Sequence, residues 1–184
     1  MDLLVYGSQD FGRLLRELLQ HCGHRFAGFV DDFGRGPDVV GTYVEALTTH
    51  PPATYGMVIA IGYRHLEARW RAYEKSTRDG YVLPALLHST AIVHPGTSVG
   101  AGAIVMAGAN VDAFTRLGEL AVLWPGTLIS HDCEVGRNCF LSPGSILCGF
   151  VRTGRNCFIG AGAVIVDHRE LPDRSFVKAG SVYK

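Results

Sequence analysis

From Val93 to Val182 an apolar residue returns every six positions, running Val93, Val99, Val105, Val111 and onward to Val177 without a change of phase. Thr153 alone breaks the aliphatic series. Four residues after most of these comes a small side chain, such as Ala103, Ala109, Thr115, Ala121, Cys133, Cys139 or Cys157. A helix asks for apolar returns near 3.6 residues and an ordinary strand for returns near 2, so a period of six fits neither. It predicts a solenoid of very short strands that turns a corner at every hexad and points the repeated aliphatic inward. Three hexads close one triangular coil, so the stretch predicts an all-β parallel β-helix of about five coils.

Residues 1–88 follow a different pattern. Leu3 to Tyr6 reads as a buried strand, followed by a turn over Gly7-Ser8-Gln9-Asp10-Phe11-Gly12. Leu14, Leu15, Leu18 and Leu19 then recur at helical spacing. Phe26 to Val30 is a second strand closed by Asp31-Asp32, and Met57 to Ile61 a third ending at Gly62. Helices are expected over Tyr43–Thr49 and Leu66–Ser76. Alternation of strand and helix predicts an α/β domain with a small parallel, Rossmann-like sheet. The predicted boundary lies at His88-Ser89, giving domains 1–88 and 89–184.

Bulk properties narrow the function. The formal net charge is zero and no Lys/Arg block occurs, which argues against nucleic acid as partner. No apolar run reaches the roughly 18 residues of a membrane span. The N-terminus lacks the basic region of a signal peptide. Five cysteines without metal-site spacing, three of them at inward hexad positions, fit a reducing compartment, so a cytoplasmic location is expected.

Two regions carry candidate chemistry. The loops Gly7–Gly12, Asp31-Asp32 and Gly62-Tyr63-Arg64 should meet at one sheet edge, where such folds hold nucleotides. A helix N-terminus there can take a phosphate and an acidic residue can take ribose or base donors. The competing reading is a turn that only caps the first helix, with Asp10 as its cap. In the solenoid, His131-Asp132 stands at a corner and Gly149 follows one eighteen-residue coil later. Histidine titrates near neutral pH and is the natural general base, a carboxylate beside it orients the ring, and a bare amide nearby can support an oxyanion. Spacing alone leaves open an ordinary exposed histidine. His94, His131 and His168 recur at thirty-seven-residue intervals, but alternate coils separate them by roughly 9–10 Å, too far to share an ion at ~2.0–2.1 Å. No metal is expected.

Taken together, Gly7-Ser8-x-x-Phe11-Gly12, Asp31-Asp32-Phe33, Ala60-Ile61-Gly62, His131-Asp132 and the unbroken hexads resemble the left-handed β-helix, hexapeptide-repeat sugar-nucleotide acetyltransferases. The resembled types are the sialic-acid O-acetyltransferases and the bacillosamine and perosamine N-acetyltransferases, enzymes of polysaccharide and glycan biosynthesis. The resemblance implies left-handed coiling, a homotrimer, and acetyl-CoA lying in a groove between neighbouring β-helices. It implies His131 as general base, Asp132 as its acidic neighbour and Gly149 as the amide facing the thioester carbonyl. Ala161 and Ala179 are implied to line the acetyl-CoA groove. Gly7, Ser8, Asp10, Phe11, Asp31, Asp32, Gly62 and Tyr63 are implied to hold the nucleotide-linked amino sugar. The chain departs from the family at Asp10, usually glycine, at Phe11, often histidine, and at Phe140, where many members carry a second histidine. The expected reaction is N-acetylation of the sugar amine; the alternatives are O-acetylation of a sugar hydroxyl or a non-catalytic trimeric scaffold of the same fold.

Overall fold

The computed structural model describes residues 1–184. Two compact units divide between Pro84 and Ala85. The first contains β1 (Asp2–Tyr6), α1 (Asp10–His21), β2 (Arg25–Val30), β3 (Val39–Gly41), α2 (Tyr43–Thr49), β4 (Gly56–Ile59) and α3 (Leu66–Arg78). Its strands pair in parallel in the order β3-β2-β1-β4. Leu3, Leu4, Val5, Met57 and Ile59 are buried in this sheet, and Leu15 and Leu19 of α1 are buried with them. Each such side chain contributes about 1.5–3 kcal/mol by leaving water. The chain order reverses between β1 and β4, and in open α/β sheets that switch point opens a crevice at the strands' carboxyl ends.

Sequence pattern locates these elements with local exceptions. The turn expected over Gly7–Gly12 ends early, because Asp10, Phe11 and Gly12 already form the first turn of α1. The capping reading of Asp10 is also corrected. Gln9 occupies the cap without a side-chain bond, and Asp10, one residue inside the helix, pairs with Arg13 across one turn. The third expected strand starts at Gly56 and ends at Ile59 rather than Ile61. Strand β3 has only three residues and no alternating pattern, so nothing in the sequence announced it. α2 is fixed by a capping box, in which Thr42 and Glu45 satisfy each other's backbone amides.

From Leu86–Leu87 to Val182–Tyr183 the chain builds the predicted solenoid of about five left-handed coils. Two-residue strands stack in parallel into three sheets, and each residue pairs with the one eighteen positions away, as Val122 with Phe140 and Leu128 with Ile146. The second residue of each strand points inward. Val105, Val111, Leu123, Leu141, Leu147, Ile159 and Ile165 are fully buried, together with the small residues Ala103, Ala109, Cys139, Cys157 and Ala163. Thr153 is tolerated among them because its hydroxyl accepts from the Gly136 amide at 3.0 Å, which removes the cost of an unpaired buried oxygen.

The outward first residues give the three faces distinct characters. One face carries Ser98, Arg116, Glu134, Arg152 and Glu170, a ladder of alternating charge. The second carries Leu86, Ile104, Val122, Phe140, Phe158 and Phe176. The third carries Ile92, Asn110, Leu128, Ile146, Val164 and Val182 and is referred to below as the aliphatic face.

Candidate active site

The corner between the aliphatic and charged faces holds the solenoid's polar cluster. His131 follows the strand Leu128–Ile129, and its Nδ1 lies 2.9 Å from Asp132 Oδ2. That contact fixes the neutral ring as the Nδ1–H tautomer, leaving the Nε2 lone pair free to accept a proton. Gly149 sits one coil further. A Cβ built there would stand 3.1 Å from His131 Cε1 and 3.2 Å from Nε2, so only glycine lets the imidazole lie against this backbone. The neighbouring amides of Cys148 and Phe150 donate to the carbonyls of Ile165 and His131, and the Gly149 N–H takes no part in that ladder. An imidazole base, an orienting carboxylate and a backbone amide within one coil of each other form the minimum set for moving a proton while an oxyanion develops. Beside them runs a groove of about 600 Å³, lined by Asn110, Leu128, Ser130, Ile146, Cys148 and Gly149 among others.

Cys133 is the nearest nucleophile by sequence, but it points into the core. Its thiol donates to the Cys148 carbonyl at 3.0 Å, and burial pushes its pKa up to about 11. A thiol held protonated is a poor acyl acceptor.

Ala161 and Ala179 are not brought to this corner. Both are exposed one coil apart at the opposite edge of the aliphatic face, where Gly162 and Gly180 turn the chain with φ of +64° and +67°. Phe140 is buried between Trp124 and Phe158, at ring separations of 5.9 and 6.3 Å.

The N-terminal unit has its own cavity, of about 900 Å³, at the switch point of its sheet. Its walls include Gly7, Asp10, Phe11, Asp31, Asp32, Gly62, Tyr63 and His65, with Arg64 adding positive charge. Gly7 is required twice over: its φ is +113°, and a Cβ would meet the Ala60 carbonyl oxygen at 3.0 Å. Ser8 is tied to the cavity wall through Asp31. One Asp31 oxygen accepts from the Ser8 amide and hydroxyl, and the other accepts from the Phe33 and Gly34 amides. Asp32 accepts from the Tyr6 hydroxyl and from the Tyr43 amide. Both carboxylates therefore brace loops, a role that spacing alone did not distinguish from ligand contact. Asp31 has all four lone-pair directions occupied, whereas Asp32 retains two.

Burial by itself would raise the Asp31 pKa, but the Ser8 hydroxyl and the Gly34, Phe33 and Ser8 amides outweigh it and lower the pKa to about 2. A depressed carboxylate contributes stability above its unfolded pKa, and that stability is lost as pH falls toward the folded value. Asp31→Asn is expected to destabilise the N-terminal unit by about 2 kcal/mol at neutral pH. The gap from the parent should narrow between roughly pH 4 and pH 2. Urea unfolding followed by Trp70 fluorescence in a Trp124→Phe background measures it; an unchanged midpoint at pH 7 contradicts the assignment.

No family model matches the sequence. Among solved structures, the chain is similar to the acetyltransferase domain of PglB from Neisseria gonorrhoeae, with 28% identity and a TM-score of 0.93 over 100% of this chain and 91% of that one. That domain is also known in complex with acetyl coenzyme A. PerB from Caulobacter crescentus, in complex with CoA and GDP-perosamine, matches at 29% identity and a TM-score of 0.92, covering 100% of this chain and 89% of that one. A histidine variant of perosamine N-acetyltransferase from the same organism, with the same two ligands, matches at 26% identity and a TM-score of 0.79, covering 97% and 93%.

Proposed function

We infer that this chain, an acetyltransferase of the hexapeptide-repeat, left-handed β-helix type, transfers the acetyl group of acetyl-CoA to the amino group of a nucleotide-linked amino sugar. The observation that carries this reading is the His131–Asp132 pair packed against Gly149, in a chain that matches the CoA and acetyl-CoA complexes over nearly its whole length. The acceptor amine attacks the thioester carbonyl while His131 Nε2 takes its proton. Asp132 holds the imidazole and balances its charge, and the Gly149 N–H meets the oxyanion. Collapse of the tetrahedral intermediate expels the CoA thiolate, which recovers the proton from the imidazolium. The buried, protonated Cys133 supports direct transfer without an acyl-enzyme. The N-terminal cavity is assigned the nucleotide, with Asp32, Tyr63 and Arg64 at its wall.

The acting form is assigned as a homotrimer. In the single chain Ile92, Leu128 and Val182 are 65%, 43% and 55% exposed on the aliphatic face, and exposed apolar surface of this kind marks an interaction site. His131 and Ala161 stand at opposite edges of that face, so one copy does not bring base and groove residues together. Packing the aliphatic faces around a threefold axis sets the His131 edge of one copy beside the Ala161 and Ala179 edge of the next. Leu128→Asp is expected to shift the trimer to monomer in sedimentation velocity and to abolish turnover with it; a trimeric, active variant refutes this interface. No helix is long and apolar enough to cross a membrane, and all five cysteines are free, which supports a cytoplasmic setting.

The test is release of CoA thiol from acetyl-CoA in the presence of UDP-, GDP- and dTDP-linked amino sugars. At least one amine acceptor should be turned over, with the matching sugar nucleotides that carry a hydroxyl in place of the amine inert. Turnover of hydroxyl acceptors alone, or of none, contradicts the reading.

A further inference from the structure

We propose that Phe150 is a positioning residue for the base, fixing the plane and rotamer of the His131 imidazole. The inference rests on the assignment of His131 as the base and adds a residue to that site. A single hydrogen bond to Asp132 holds one ring nitrogen of His131 but does not by itself hold the plane of a side chain at an exposed corner. Two further contacts do. Gly149 backs the ring from one side, and the Phe150 ring meets it edge-on, with centroids 5.3 Å apart and planes at 90°. Phe150 is itself backed by His168, stacked at 4.6 Å and 21°, and His168 Nδ1 lies 3.0 Å from Asp167 Oδ2. The column Asp167–His168–Phe150–His131–Asp132 thus leads from one anchored imidazole to the other.

The backbone sets the corner from which the Phe150 ring projects. Phe114, Asp132, Phe150 and His168 occupy equivalent corner positions on successive coils, with φ of +60°, +57°, +61° and +57°. Left-handed backbone costs a bulky residue more than glycine, and the all-glycine corner across the aliphatic face turns at the same angle. Phe150 is 44% exposed and fills little core, so what its ring contributes lies in the contacts to the two imidazoles.

Steady-state kinetics and 15N NMR of the His131 ring test this together. Phe150→Leu should lower kcat by roughly three- to tenfold, the share of productive rotamer that an edge-to-face pair can hold. KM for acetyl-CoA should stay unchanged and Phe150→Tyr should restore kcat. Phe150→Gly relieves the left-handed backbone, so it folds at least as well and separates misfolding from misplacement. In the free enzyme the parent should give one ordered Nδ1–H tautomer, and Phe150→Leu and Phe150→Gly an averaged one. The NMR reading needs no substrate, so it stands or falls separately from the acetyl-transfer assignment. A rise in KM with kcat intact, or a fall in kcat with the ring order unchanged, overturns the proposal.

Discussion

Replacement of His131 by alanine is expected to reduce kcat by about 10²–10⁴-fold, the range for loss of a positioned general base. The neighbourhood offers no substitute. His168 is two coils away, roughly 9–10 Å along the axis, bonded to Asp167 and screened by Phe150. Cys133 faces the core. The loss should fall on kcat, with acetyl-CoA affinity by calorimetry retained, because the imidazole acts on the acceptor's proton. Folding should be unaffected, since the side chain is half exposed. A variant with near-parent kcat removes His131 from the mechanism.

Gly149→Ala is expected to be the next most damaging change, lowering kcat by roughly tenfold to a hundredfold, in line with the cost of displacing a reacting group by a fraction of an ångström to 1 Å. The added methyl meets the imidazole at 3.1–3.2 Å, closer than a relaxed van der Waals contact of about 3.5–4.0 Å. The ring is the movable partner, so it shifts, and its bond to Asp132 stretches with it. Stability should change little, because the atoms nearest the new carbon belong to the half-exposed His131 ring and Gly149 does not need a left-handed backbone. The signature is a fall in kcat at an unchanged urea midpoint. A falling midpoint with intact kcat would make Gly149 a packing residue only.

The solenoid was legible because each hexad repeats one physical instruction: an aliphatic inward, a small residue at the next turn, a corner. Eighteen-residue arithmetic was enough to bring His131, Asp132 and Gly149 to one corner. The same arithmetic puts Ala161 and Ala179 at another corner, since they follow the strands ending at Ile159 and Val177, whereas Gly149 follows the one ending at Leu147. What the sequence did not disclose depends on backbone sign and side-chain direction. Phe150 falls on a hexad corner that carries no periodic signal, and only its two ring contacts tie it to His131. Asp31 and Asp32 were visible as an acidic pair after a strand. The bonds from Ser8, Phe33, Gly34, Tyr6 and Tyr43 that occupy them come from turns with no periodic signal. Strand β3 escaped for the same reason.

The central claim is that the amine of a sugar nucleotide is acetylated at the His131 corner. A crystal structure of the enzyme with CoA and the amine acceptor identified by thiol release tests it most directly. The acceptor nitrogen is expected within hydrogen-bond distance of His131 Nε2, the CoA sulfur near the Gly149 amide, and the nucleotide in the cavity bearing Asp32 and Tyr63. An acceptor amine bound away from His131, with CoA seated elsewhere than the groove beside Gly149, contradicts it.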